Sequence, residues 1–187
     1  MSAVKSILIV TIASFFLQGV VGGNMIYSLA LWPMNGQFMP WQLVSYAFLH
    51  GSMIHLVFNM YGLWMFGREL EVMLGRKVFF QLYFASVLAA GIMQVLVTTF
   101  TGGTYPTVGA SGGVFGLLLA YGMFFPNRRI MLLLPPVVLR ARTFVFVYAA
   151  LELFLGVTGT QAGVAHFAHL GGMIGAYLVL NNRGRRR

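Results

Sequence analysis

The chain of 187 residues has no cysteine and only three acidic residues, Glu69, Glu71 and Glu152. Without cysteine there is no disulfide, no iron–sulfur cluster and no thiolate chemistry. The scarcity of acids leaves no HExxH pattern and no recognisable His-His-Glu zinc set. Charge of either sign is rare, at 8% of residues, whereas a soluble domain carries about 25%. With 59% hydrophobic residues, the chain could not cover itself with polar surface in water, so it is an integral membrane protein. A net charge of +9 would suit nucleic acid, but the placement of the charges excludes that partner.

Apolar stretches predict spans at about Ser6–Val21, Ser52–Phe66, Val78–Thr98, Ser111–Phe124, Thr143–Leu155 and Val164–Leu180. The first has one lysine before it and no small-x-small cleavage site after it, which reads as a retained helix rather than a removed signal peptide. Residues 22–49 form a first extracytoplasmic loop lying partly in the interface, with Tyr27, Trp32 and Trp41 as anchors. Residues 131–142, interrupted by Pro135-Pro136, read as a re-entrant or interfacial connector. Lys5, Arg68, Arg76, Lys77, Arg128, Arg129, Arg140, Arg142, Arg183, Arg185, Arg186 and Arg187 are all the basic residues. With six spans every one falls on the same side, including a basic tail at 183–187, so both termini are expected in the cytoplasm. The fold expected is an all-α six-helix membrane bundle, one domain over 1–187.

That topology gathers the four histidines, His50, His55, His166 and His169, in the outer leaflet with Ser111. Ionisable groups at membrane depth are costly unless they face a cavity or a partner. His55 and Asn59 are four apart and share a helix face; His166 and His169 are three apart. Ser111 lies in Gly109-Ala110-Ser111-Gly112-Gly113. There it reads either as a helix cap beside a glycine packing face or as a hydroxyl exposed to a reacting carbonyl. Gly112 and Gly116 form one small-x3-small face, Gly172 and Ala176 another. If they meet, Ser111 and His169 come into hydrogen-bonding range. A neutral imidazole can then take the serine proton. No carboxylate is placed to orient it, so the reading is a dyad, with Glu152 lacking an evident partner. The Ser111 backbone N–H, the Asn59 amide and the His55 ring are candidate oxyanion donors. A four-imidazole zinc site is the rival for the histidines, with no carboxylate near them to serve as base.

These features resemble the rhomboid intramembrane serine proteases in their six-helix bacterial form, over almost the whole chain. The resemblance rests on Trp41, on His50-x4-His55-x3-Asn59, on Gly109-Ala110-Ser111-Gly112, and on Ala168-His169-Leu170-Gly171-Gly172. It implies Ser111 as nucleophile, His169 as general base and then acid, and His55, Asn59 and Ser111 as the oxyanion hole. Gly109 would shape the turn, His50 would tie the first loop to the core, and His166 would support the site. Glu71, with Arg68 and Gly75, would tie down the connection to the third span. The family usually has Arg after the loop tryptophan, where this chain has Gln42. Phe115 replaces a tyrosine that some relatives place against the histidine.

The implied substrate is a transmembrane helix of another membrane protein, entering laterally beside the fifth span. It would be cut where it unwinds easily, near Gly, Ala or Ser. An outward-opening hydrophilic cavity would be lined by His50, His55, Asn59, Ser111, His166 and His169. Membrane lipids are the other partner; no metal or cofactor is implied, and nothing in the pattern fixes an oligomeric state. The location implied is the bacterial inner membrane. A proteolytically dead relative that escorts transmembrane helices would have lost the serine or the histidine. A transporter would need polar groups along the inner half of the spans.

Overall fold

The N-terminus of the first helix, α1 (Ala3–Val21), is held by two side chains. Ser2 accepts from the Lys5 N–H at 3.2 Å, and the Glu71 carboxylate accepts from the N–H groups of Ala3 and Val4 at 2.5 and 3.0 Å. These are the orphan donors of a helix start, where a negative charge is also favoured by the dipole. Glu71 therefore fastens α1 to the middle of the chain rather than tying down the connection that follows it. The computed structural model describes residues 1–34, 37–131, 136–159 and 165–184. The last three arginines of the basic tail lie outside the described residues.

The first loop is partly helical among its described residues. It contains α2 (Gly23–Leu29), α3 (Gln42–Ser45) and a 3-10 turn at Tyr46–Phe48. Gln42, fully buried, replaces the expected arginine by using both ends of its amide. Its Oε1 accepts from the N–H groups of Trp32 and Met39 at 3.3 and 3.1 Å. Its Nε2 donates to the carbonyls of Ser28 and Gln37 at 3.5 and 3.3 Å. The ring N–H of Trp41 also reaches the Ser28 carbonyl, at 2.9 Å.

Five long helices follow: α4 (Met53–Leu74), α5 (Arg76–Thr101), α6 (Ser111–Phe124), α7 (Ala141–Thr158) and α8 (His166–Gly184). With α1 they stand at the positions of the expected spans. α4 runs two turns beyond the expected end at Phe66, because Arg68 and Glu69 leave the apolar bundle without breaking the helix. Between α6 and α7, within the expected re-entrant or interfacial connector, the described residues form an antiparallel ladder. β1 (Arg129–Met131) pairs with β2 (Val138–Arg140), Arg129 facing Arg140. Residues 132–135, with Pro135, lie outside the described residues, as do residues 160–163 of the expected turn.

The protein is a helical membrane bundle. α1, α5 and α7 are each long and apolar enough to cross a bilayer; α3 and its 3-10 turn with α4, bent by 101°, form a fourth candidate. α6 has 14 residues, roughly 21 Å of helix, and lies at the centre against α4, α5, α7 and α8. The lipid-facing surface is apolar: Val20, Phe100, Phe146 and Val157 are all more than 70% exposed. Such broad apolar surface is foreign to a soluble monomer. α7, like α1, is only lightly embedded, burying Ala141, Phe144, Val145 and Glu152.

Candidate active site

α6 and α8 meet through their small residues. A β-carbon on Gly172 would overlap the Gly112 carbonyl oxygen, and one on Gly116 would come within 2.9 Å of the Gly172 carbonyl. The two backbones are in contact, as small-residue faces permit in a membrane. Ser111 and His169, next to these glycines, are therefore neighbours: His169 Nε2 lies 2.9 Å from Ser111 Oγ. Ser111 is the first residue of α6, the cap is Ala110, and no side chain caps this helix. The capping reading of Ser111 is overturned; its hydroxyl is engaged by the imidazole.

The turn before Ser111 is fastened on several sides. Leu31 and Thr107 exchange backbone hydrogen bonds of 3.0 and 2.8 Å, and Gln94 on α5 donates to Thr107 Oγ1 at 3.1 Å. Gly109 donates to the Tyr46 carbonyl at 3.0 Å. His50, wholly buried, accepts from the Ala110 N–H at 3.4 Å, and Gln18 on α1 brackets its backbone with bonds of 2.9 and 3.2 Å. Gly109 has φ +128°, and a β-carbon there would run into the His55 ring. Only glycine admits both that backbone and that approach.

His55 and Asn59 project from α4 toward the same place. The Asn59 Nδ2 donates to the His55 carbonyl at 2.9 Å, leaving its second amide hydrogen uncommitted. Phe115, one turn below Ser111, stacks flat on His169 with ring centroids 4.2 Å apart and planes 3° from parallel. The expected loss of a hydroxyl at this position leaves the ring packing intact.

Behind His169 stands Glu152 on α7, 7% exposed. Its Oε2 lies 2.6 Å from His166 Nδ1 and 3.0 Å from His169 Nδ1. The first contact is an aligned hydrogen bond. The second is an ion-pair approach off the N–H direction. This overturns the expectation that Glu152 lacks a partner and that no carboxylate stands near the histidines. The sequence held only a partial signal: a lone acid at membrane depth must find donors, and the resemblance assigns His166 no more than a supporting role. What could not be read was the register of α7 against α8.

Ser111, His169, His55 and Asn59 line a cleft of about 890 Å³. It runs along α6, with Phe58, Tyr61 and Met65 of α4 on one side and Phe144 and Tyr148 of α7 on the other. His50 and His166 do not line it, contrary to expectation; both are turned into the protein, against the Ser111 turn and Glu152. The walls are mainly apolar, with polar groups concentrated at the Ser111 end. An imidazole nitrogen against a hydroxyl, with amide and imidazole donors facing one cleft, can move a proton and bind an oxyanion.

Comparison with known proteins gives the family. A rhomboid domain model matches residues 37–183. The chain is similar to the mitochondrial presenilin-associated rhomboid-like protein A of Danio rerio, 33% identical over 133 residues, covering 71% of this chain and 34% of that protein. It is similar to the mitochondrial rhomboid protein 1 of Saccharomyces cerevisiae, 36% identical over 97 residues, covering 51% and 28%. It also resembles the rhomboid protease GlpG of Yersinia enterocolitica, 31% identical over 175 residues, covering 90% and 58%. The chain thus spans between 28% and 58% of the length of these relatives.

Proposed function

The chain belongs to the rhomboid family, and from that premise we propose that it is an intramembrane serine endopeptidase working by Ser111 and His169. The observation that carries the reading is the 2.9 Å contact between His169 Nε2 and Ser111 Oγ at the head of the cleft. The relatives named as proteases support it.

His169 Nε2 takes the hydroxyl proton as Ser111 Oγ bonds to the scissile carbonyl carbon. The carbonyl oxygen becomes an oxyanion, met by the Ser111 N–H, the free hydrogen of Asn59 and the His55 ring. As the C–N bond breaks, His169 returns the proton to the leaving amine. Water then attacks the acyl-enzyme with His169 again as base, and Ser111 leaves with its proton restored. Phe115 keeps the imidazole plane in place, Gly109 and His50 hold the turn, and His166 supports the site from behind. No step calls for a metal or cofactor.

The substrate is a transmembrane segment of another membrane protein. Its amides are all bonded internally while it is helical, so a segment near Gly, Ala or Ser that unwinds readily is preferred. The cleft between α4 and α7 is its route, with weakly embedded α7 as the movable wall. All six long helices cross the bilayer, the whole chain is one domain, and the basic residues hold both termini in the cytoplasm. The Ser111 end then faces outward from the bacterial inner membrane. The test is cleavage of a model transmembrane substrate by purified protein. Wild type is expected to cleave and Ser111→Ala and His169→Ala are not. Equal product from all three would overturn the proposal.

A further inference from the structure

Glu152 is an ionisable side chain buried in a helix whose other buried residues are all apolar, and the reaction above makes no use of it. A carboxylate at that depth is tolerated only where donors compensate its charge. Here both donors are imidazoles, and one of them is the proposed base. With the carboxylate ionised, His166 Nδ1 donates its proton to Oε2, and the same charge 3.0 Å from His169 Nδ1, though off the N–H direction, favours a proton on that nitrogen as well. This selects the His169 tautomer whose Nε2 lone pair faces the Ser111 hydroxyl, 2.9 Å away. The other tautomer would point a hydrogen at Oγ and could not accept its proton.

Resting on the serine hydrolase reading, we propose that Glu152 is a positioning residue that converts the pair Ser111–His169 into a triad completed from a third helix. Its charge also faces the imidazolium that forms when His169 takes the proton. Among the described residues around that ring, His55, His166, Ser111, Phe115 and Tyr148 supply no negative charge, and Glu152 does. His166, at 2.6 Å, takes the shorter bond and fixes the carboxylate in place. The same three residues could be read as the ligands of one metal ion. The spacing argues against it: tetrahedral zinc, with bonds of about 2.0–2.2 Å, holds its ligand atoms roughly 3.3 Å apart. The 2.6 Å between Oε2 and His166 Nδ1 is the separation of a shared proton.

The experiment measures kcat and KM on a model transmembrane substrate, with thermal unfolding in detergent, for wild type, Glu152→Gln, Glu152→Asp, Ser111→Ala and His169→Ala. Glu152→Gln is expected to lose kcat by roughly 10- to 100-fold, with KM within about twofold and unchanged unfolding. Glu152→Asp, which keeps the charge, is expected to recover at least about a tenth of the wild-type kcat. Should Glu152→Gln not fold, Glu152→Asp carries the test: a folded aspartate variant as inert as His169→Ala overturns the proposal. So does Glu152→Gln with wild-type kcat, or kcat that merely follows unfolding temperature across the set. Ser111→Ala or His169→Ala cleaving like wild type would instead remove the hydrolase reading itself. Inert Ser111→Ala and His169→Ala beside a fully active Glu152→Gln would remove only the role of Glu152.

Discussion

Gly112 and Gly172 are the hinge-pin of the site: a single β-carbon on Gly172 would occupy the position of the Gly112 carbonyl oxygen. That backbone contact sets the 2.9 Å separation of Ser111 Oγ and His169 Nε2, because each reacting residue lies within a turn of its glycine. Gly172→Ala must push α8 away from α6. It should cost about 1–3 kcal/mol of stability, as overpacking does, and lower kcat more than stability alone accounts for. Thermal unfolding in detergent, read beside the cleavage rate at a temperature where both proteins are folded, separates the two effects.

Phe115 lies face to face with His169 at 4.2 Å. Removing the ring in Phe115→Ala frees the imidazole to turn away from Ser111. Aromatic pairs of this kind contribute about 0.5–1.5 kcal/mol beyond simple burial, so kcat should fall by roughly two- to tenfold with little change in KM. Phe115→Leu, which fills part of the space without a flat face, should fall between the two. Steady-state kinetics on one substrate ranks the three.

Gln42 is fully buried and serves four backbone groups of the first loop. Gln42→Ala takes this partner from the Trp32 and Met39 N–H groups and the Gln37 carbonyl, while the Ser28 carbonyl keeps the Trp41 ring N–H, and should cost about 1–3 kcal/mol. The chemistry lies elsewhere, so kcat below the unfolding temperature should stay near that of wild type. Melting curves together with rates at low temperature check this.

Glu71 closes the first turn of α1 from 68 residues away in sequence. Glu71→Ala should destabilise the protein by about 1 kcal/mol and leave kcat unchanged. Faster hydrogen exchange at Ala3 and Val4 in the variant would locate the effect. Unchanged exchange there would show that the carboxylate does not cap the helix.

The sequence made the helices and the pairing of α6 with α8 legible through local signals. Gly112, Gly116, Gly172 and Ala176 repeat every fourth residue, and that period places both faces without knowledge of the rest of the chain. Ser111 and His169 followed because they are anchored directly to those faces. Glu152 was not legible, since its partners depend on how α7 is rotated against α8, and α7 carries no small-residue stripe to fix it. Glu71 was misread for a related reason: its helix neighbours Arg68 and Gly75 suggested a local role, while its bonds go to a remote chain end. The short ladder of β1 and β2 escaped because each strand has three residues, too few for alternation to stand out from an apolar run.

The central claim is that His169 activates Ser111, and covalent labelling tests it most directly. Purified protein is treated with a fluorophosphonate, which reacts with activated serine hydroxyls, and the modified position is mapped by peptide mass spectrometry. The expected result is a single adduct on Ser111, absent in Ser111→Ala and reduced by about two orders of magnitude or more in His169→Ala. An adduct on another serine, or labelling of Ser111 undiminished in His169→Ala, would contradict it.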